Sequence, residues 1–237
     1  MSHLHLPDGV VPVPWWVLGY LLAGFLLFLA VRWTGDREMR KRLPRLAVVS
    51  ALMLIAFSVP MGFLPVHLNL TVLSAVILGP WLGYLSVFLV NLILAMVGHG
   101  GITTLGINTV IVGSEVFIGY FTFRCLQGWL KPTGAALLAT VFALVLSGLL
   151  MIGVLTLALA GPGQILTEVF HEHPPGTAPD GRRVGQIPVA RGDSLVLTRF
   201  LSFVLPVAGA GIAVEALVTA LIVGYFLRIR PDLFDPK

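Results

Sequence analysis

The feature that most constrains this chain is a series of apolar runs long enough to cross a lipid bilayer. A spanning helix needs about 20 predominantly apolar residues, and residues 13–33, 46–64, 103–129, 134–160 and 195–227 meet or approach that length. The stretch 68–97 is too long for one span and is interrupted by Gly79-Pro80. Proline has no backbone N–H and disfavours helical geometry at the residue before it, which divides the stretch into a short helix at 69–78 and a longer one at 81–97. The expected architecture is therefore all-α: an integral membrane protein of about seven transmembrane helices, one of them short and broken at Gly79-Pro80. Broken helices are tolerated at membrane depth where they are buried in protein or line a cavity, so the short pair points toward a binding pocket. Composition agrees, because 57% of the 237 residues are apolar and 11% are charged, against roughly a quarter charged in soluble domains.

Orientation follows from the basic residues, which concentrate on the cytoplasmic side of short connections. Arg32, Arg37, Arg40, Lys41, Arg42 and Arg45 follow the first run, Arg124 and Lys131 follow the fifth, and Arg228, Arg230 and Lys237 follow the last. This pattern puts the N-terminus outside, the C-terminus in the cytoplasm, and the connections near Pro65 and His99 outside. Residues 1–12 then form an extracytoplasmic arm, 13–230 a single transmembrane domain with an external loop at 161–194, and 231–237 a cytoplasmic tail. The loop carries Arg182, Arg183 and Arg191, but long loops cross the membrane largely regardless of charge. The net charge of +4 thus belongs to topology-setting segments in contact with lipid, and implies no nucleic-acid partner. Residues 1–14 are polar and carry no Lys or Arg, unlike a signal peptide, so the arm is expected to be mature apart from Met1.

All six histidines, His3, His5, His67, His99, His171 and His173, fall outside in this topology. Imidazole is a common ligand for late first-row divalent metals. Cys125 is the single cysteine, so a thiolate cluster is excluded and any metal must use nitrogen or oxygen. His171-Glu172-His173 reads as a solvated loop tip, and His99 between glycines as the companion of a tight turn. The arm is more specific. Residues two apart in an extended segment point to the same side, so His3 and His5 can face a pocket that His67 enters from the next external connection. Pro7 stiffens the arm and Asp8-Gly9 supplies the turn that bends it back over the bundle. A free amine followed by His is itself a chelator, whose amine, amide and imidazole nitrogens lie in one plane and suit the tetragonal preference of Ni2+ and Cu2+.

These residues resemble the M component (CbiM/NikM) of cobalt and nickel energy-coupling factor transporters. The resemblance rests on His5-Leu6-Pro7-Asp8-Gly9, on Pro65-Val66-His67-Leu68 before Leu78-Gly79-Pro80-Trp81, and on Gly98-His99-Gly100-Gly101-Ile102-Thr103 leading to Leu105-Gly106-Ile107-Asn108. It is close over residues 5–125 and elsewhere is mainly a match of apolar helices. It implies a substrate-capture component that imports Ni2+ or Co2+ across the cytoplasmic membrane, in some relatives feeding cobalamin biosynthesis. It also implies a transmembrane T component, paired ATP-binding A subunits and, in some systems, a small N component as partners. The metal is the transported substrate and no other cofactor is expected. In the family the metal sits in a near-planar nitrogen site formed by the N-terminal amine, the amide and imidazole of a His beside it, and a His from a later external loop. These imidazoles map onto His5 and His67. The family's His follows the initiator Met directly, whereas Met1-Ser2-His3-Leu4 precedes His5 here. With Met1 removed, the Ser2 amine and the amide and imidazole of His3 can form the chelate, completed by His67 or His5. With Met1 retained, Met1-Ser2-His3 fills four planar positions alone.

Asn69, His99, Asn108 and Asp8 are candidates to orient the metal-bound groups, Asn69 and Asn108 because they lie near external helix ends; Asn91 is read with them as an intramembrane polar residue. Glu115 and Glu215 lie mid-way along their spans, where ionisable residues are functional candidates; bundle-facing structural roles are the favoured reading, a proton relay the other. Ala47 and Ala51 put small residues four apart on the second span, and the resemblance implies that such a face docks the T component. The chain has no Gly-x-x-x-x-Gly-Lys-Ser/Thr loop, so ATP hydrolysis is expected from separate subunits and this chain is not expected to be an enzyme. An ion-coupled secondary transporter is the alternative. A membrane-embedded metalloenzyme ranks below it, since no His-Glu-x-x-His helix is present.

Overall fold

A computed structural model describes residues 5–58, 67–160 and 194–230, with backbone only for 159–160 and 194–205. Seven helices, and no strand, make up the described residues: α1 (Val13–Thr34), α2 (Asp36–Ser58), α3 (Thr71–Leu78), α4 (Pro80–Met96), α5 (Leu105–Leu126), α6 (Pro132–Ala160) and α7 (Ser194–Ile229). Four stretches are long and apolar enough to cross a membrane, Val13–Thr34, Leu105–Leu126, Pro132–Ala158 and Pro206–Ile229. On α1, Leu18, Leu21, Phe25, Phe28 and Val31 are all exposed, an apolar surface that suits lipid and not water.

The break at Gly79-Pro80 is observed. Gly79 adopts φ +83°, closes α3 by donating its N–H to Ala75 O at 2.9 Å, and hands on to Pro80 at the start of α4. Such a positive φ is cheap for glycine alone. Other boundaries differ from expectation. The second helix begins at Asp36 rather than residue 46, so the basic segment is helical and only Gly35 separates it from α1. Asp36 and Glu38 in its first turn favour the positive end of the helix, and Arg42 Nε bonds Glu38 Oε1 at 2.6 Å. The third helix starts at Thr71 because Leu70 adopts the left-handed conformation, φ 56°, leaving Asn69 outside it. Thr103 and Thr104 precede α5, which ends at Leu126. Ser194 opens α7; residues 161–193 and the tail 231–237 lie outside the described residues.

Helix α5 is the centre of the bundle, packing against α1, α3, α4 and α6, while α7 packs against α6. Its contacts are close because glycines face its neighbours. A side chain at Gly106 would overlap the Tyr20 backbone and come within 2.6 Å of the Gly19 carbonyl carbon, and one at Gly19 would overlap Ile107. Gly113 leaves room for the Tyr84 ring of α4 and Gly119 for Val72 of α3. Helix α6 meets the core with Ala135, Ala136, Ala139 and Ala143, all fully buried. With no hydrophobic force between helices in lipid, close backbone approach and polar bonds carry association. Polar bonds between helices include Ser50 Oγ with Ser86 Oγ at 2.8 Å, between α2 and α4, and Ser147 Oγ donating to Glu115 Oε1 at 2.7 Å, between α6 and α5. The Leu70 N–H donates to Glu215 Oε1 at 3.2 Å, joining the start of α3 to α7.

The α1–α5 approach has a measurable consequence. Gly106→Leu is expected to lower stability by about 3 kcal/mol or more, since the overlap is with backbone. Gly148→Ala, where a methyl group meets nothing within 4 Å, is expected to be neutral or stabilising by up to about 1 kcal/mol. Thermal unfolding of the purified variants in detergent measures both.

Candidate metal site

Because α1 lies against the N-terminal half of α5, the arm that precedes α1 arrives at the turn between α4 and α5. That turn begins at Gly98, φ +80°, and His99 donates its N–H back to Leu94 O at 2.8 Å. The arm is held there through Leu6. Its N–H donates to Asn108 Oδ1 at 3.0 Å, and its carbonyl accepts from Asn108 Nδ2 at 3.1 Å, from Gly101 N at 3.1 Å and from the Thr104 hydroxyl. One asparagine amide thus satisfies both polar groups on either side of the Leu6 Cα. The Leu6 side chain is buried in an apolar cluster with Val11, Ile107, Ile111 and Ala158.

Asp8 supplies the second anchor. Its Oδ1 accepts from Thr103 N at 2.8 Å and from the Thr103 hydroxyl at 2.5 Å, and its Oδ2 accepts from Ile102 N at 3.2 Å. These N–H groups precede α5, so the carboxylate sits where the helix end favours negative charge. Gly101 permits the approach, since a side chain there would overlap Asp8. The Thr103 hydroxyl, then the Thr103 N–H, hold the Asp8 carboxyl below its ordinary value of 3.8, against a smaller opposing effect of burial.

Docking sets His5 beside Phe57, a buried residue of α2 that three imidazoles share as a neighbour. His5 meets it edge-on at 5.1 Å and 89°, His67 stacks on it at 5.3 Å and 19°, and His99 meets it edge-on at 5.5 Å. His67 and His99 are 5.8 Å apart, edge to face. His5 Nε2 lies 3.2 Å from Asn91 Oδ1, and Asn91 Nδ2 donates to Thr109 Oγ1 at 3.4 Å. Among the described residues no three His, Cys, Asp or Glu side chains form a ready metal-binding group. Ser2 and His3 lie outside the described residues.

The other sequence-derived candidates fall in varied places. Asn108 and Asp8 bond the arm and its landing turn rather than an imidazole. Asn69 is buried and its Nδ2 has no hydrogen-bond partner among the described residues. His99 is exposed at the edge of the cluster. Ala47 and Ala51 are exposed on α2, together with Val48, Leu52 and Ile55. Phe57 and Asn91 join the cluster without a sequence signal that marks them for it. Phe57 reads as one more core aromatic of an apolar run, and Asn91, although visible as an intramembrane polar residue, lies inside α4 rather than at an external end.

The Asp8 contacts predict how the arm responds to pH. A carboxylate whose folded value is depressed adds support that is complete above the unfolded value and disappears as pH falls through the folded one. Docking is therefore expected to be intact at neutral pH and to loosen only below 3.8. Asp8→Ala is expected to raise amide hydrogen exchange at Ile102 and Thr103 severalfold at pH 7, measured by mass spectrometry.

The family described as CbiM, cobalt uptake substrate-specific transmembrane region, matches residues 5–233. The chain is 27% identical to the putative cobalt transport protein CbiM of Methanococcus voltae, over 98% of this chain and 95% of that one. It is 34% identical to the cobalt transport protein CbiM of Sorangium cellulosum over 51% of this chain and 57% of that one. A putative fused nickel transport protein NikMN of Archaeoglobus fulgidus is 26% identical over 99% of this chain and 69% of its own length. In fold, the chain is similar to a solved truncated transition metal transporter, with a TM-score of 0.65 at 22% identity, covering 95% of this chain and 99% of that one. The chain belongs to the CbiM family of cobalt uptake transmembrane components, and is a multi-pass membrane protein of cobalt and nickel transport.

Proposed function

We propose that this protein is the substrate-capture component of an energy-coupling factor transporter, taking up Ni2+ or Co2+ on the outer face of the cytoplasmic membrane. The observation that carries this reading is the docking of the arm through Leu6, Asn108 and Asp8, which puts His5 on the same aromatic ring as His67. Both cobalt and nickel appear in the names of the relatives, and neutral imidazole suits either ion. The arm end and the basic start of α2 lie at opposite ends of α1, about 33 Å apart by helical rise. That is close to the thickness of the hydrocarbon core, about 30 Å, and supports an external arm with a cytoplasmic arginine cluster.

In this reading the imidazoles of His5 and His67 hold the metal, and the Ser2–His3 end of the arm supplies the two further nitrogens of the plane. Binding replaces protons on any amide or imidazolium nitrogen that becomes a ligand, so capture releases protons. A transmembrane T component, two ATP-binding subunits and, in some assemblies, a small N component complete the transporter. The exposed Ala47 and Ala51 face of α2 is the docking surface for the T component. Glu115 and Glu215 take structural partners, the Ser147 hydroxyl and the Leu70 N–H, which favours ATP-driven uptake over a carboxylate relay.

His5→Ala and His67→Ala are each expected to weaken Ni2+ and Co2+ binding by about tenfold or more while the metal-free proteins still fold and unfold cooperatively. Metal analysis of purified protein with the two ions in competition measures this, with His3→Ala reporting which histidine leads the chelate. Undiminished binding in both His5→Ala and His67→Ala would overturn the site. Uptake into vesicles is expected only with the T and ATPase subunits present; uptake by this chain alone, driven by an ion gradient, would establish a secondary transporter instead.

A further inference from the structure

We propose that Asn91 is a positioning residue for the metal site, holding the proton of His5 on Nε2 so that His5 offers Nδ1 to the metal. The inference rests on the reading of His5 as a ligand and adds what selects the nitrogen that binds. Asn91 is 4% exposed within α4. Its Nδ2 donates to Thr109 Oγ1 at 3.4 Å, and its Oδ1 faces His5 Nε2 at 3.2 Å. A carbonyl oxygen only accepts, so the hydrogen bond requires the proton on Nε2. A neutral imidazole carries one ring proton, which makes Nδ1 the nitrogen with the lone pair.

Two further constraints favour Nδ1. It is the ring nitrogen nearer the backbone, the only one from which His5 can close a chelate ring with its own amide nitrogen, and it serves equally as a single ligand if His3 leads the chelate. Ligating histidines also characteristically give their second ring N–H to a carbonyl or carboxylate, which fixes the ring and raises its basicity. Here the ring is held on other sides as well. Phe57 meets it edge-on at 5.1 Å, and a side chain at Gly100 would come within 3.4 Å of its Cβ. Asn91 is thereby set to act on the metal without touching it, through a bond that joins the arm to the α4–α5 pair.

The test compares the purified full-length protein in lipid nanodiscs with Asn91→Leu, Asn91→Asp and His5→Ala. Affinity for Ni2+ is measured by competition with a chromophoric chelator, alongside the visible spectrum of the bound ion and metal-free thermal unfolding. Asn91→Leu is expected to weaken binding by about 10- to 100-fold and shift the spectrum. Asn91→Asp, whose carboxylate accepts the same proton, is expected to recover wild-type affinity within about threefold. Nitrogen-15 resonances of the metal-free wild type are expected to show His5 as the Nε2–H tautomer, a measurement that needs no variant to fold. The proposal is overturned by an Nδ1–H tautomer at His5, by Asn91→Leu binding as tightly as wild type, or by Asn91→Asp recovering nothing. Wild-type binding by His5→Ala would instead remove the ligand reading itself. A weakened His5→Ala beside an unaffected Asn91→Leu would leave His5 a ligand and sink only the role of Asn91.

Discussion

The close approach of α1 and α5 at Gly19 and Gly106 is the constraint on which the rest of the arrangement depends. Backbone lies against backbone there, so no side chain larger than hydrogen fits at either position. This contact brings the residues before α1 to the start of α5, where Asn108 is one turn into the helix and the Gly98–Thr103 turn lies beside it. Every arm contact follows from that placement. Leu6 finds both hydrogen-bonding groups of Asn108, Asp8 finds the N–H groups ahead of α5, and His5 reaches Phe57 and Asn91.

A second theme is the use of buried polar groups in an apolar bundle. In lipid an unpaired backbone group costs several kcal/mol, so each irregularity needs its own partner. Leu70 takes a left-handed conformation at the break before α3, and the Glu215 carboxylate accepts its N–H. Ser147 donates to Glu115 where α6 crosses α5, and Ser50 meets Ser86 where α2 crosses α4. Side chains that look in sequence like isolated intramembrane polar residues are thus joints between particular helices. The arm, too, is retained by bonds of this kind, which hold His5 beside Phe57.

The apolar runs and Gly79-Pro80 made most of the helices legible in the sequence, because helix length in lipid and the geometry of proline are local properties. The charged start of α2 was less so. Lipid length rules say nothing about where a helix begins in water, and Asp36, Glu38 and Arg42 favour helix on their own account. The left-handed Leu70 carries no sequence signal, since its conformation is stabilised by Glu215 from the far end of the chain. Likewise, position near an external helix end suggested Asn108 and Asn69 as partners for imidazole. The bond to His5 instead comes from Asn91, five residues before the end of α4.

By itself the sequence determined the membrane class, the approximate extent of most of the described helices, the family motifs and the nitrogen chemistry available to a metal. These follow from hydrophobic length, proline and the identities of His5, His67 and their neighbours, all of which are local. Only the tertiary structure decided which groups meet: Leu6 with Asn108, Asp8 with Thr103, His5 with Asn91, and three imidazoles with Phe57. The reason is that those pairings join residues as many as 102 positions apart, and are selected by where glycine lets two helices touch rather than by any pattern along the chain.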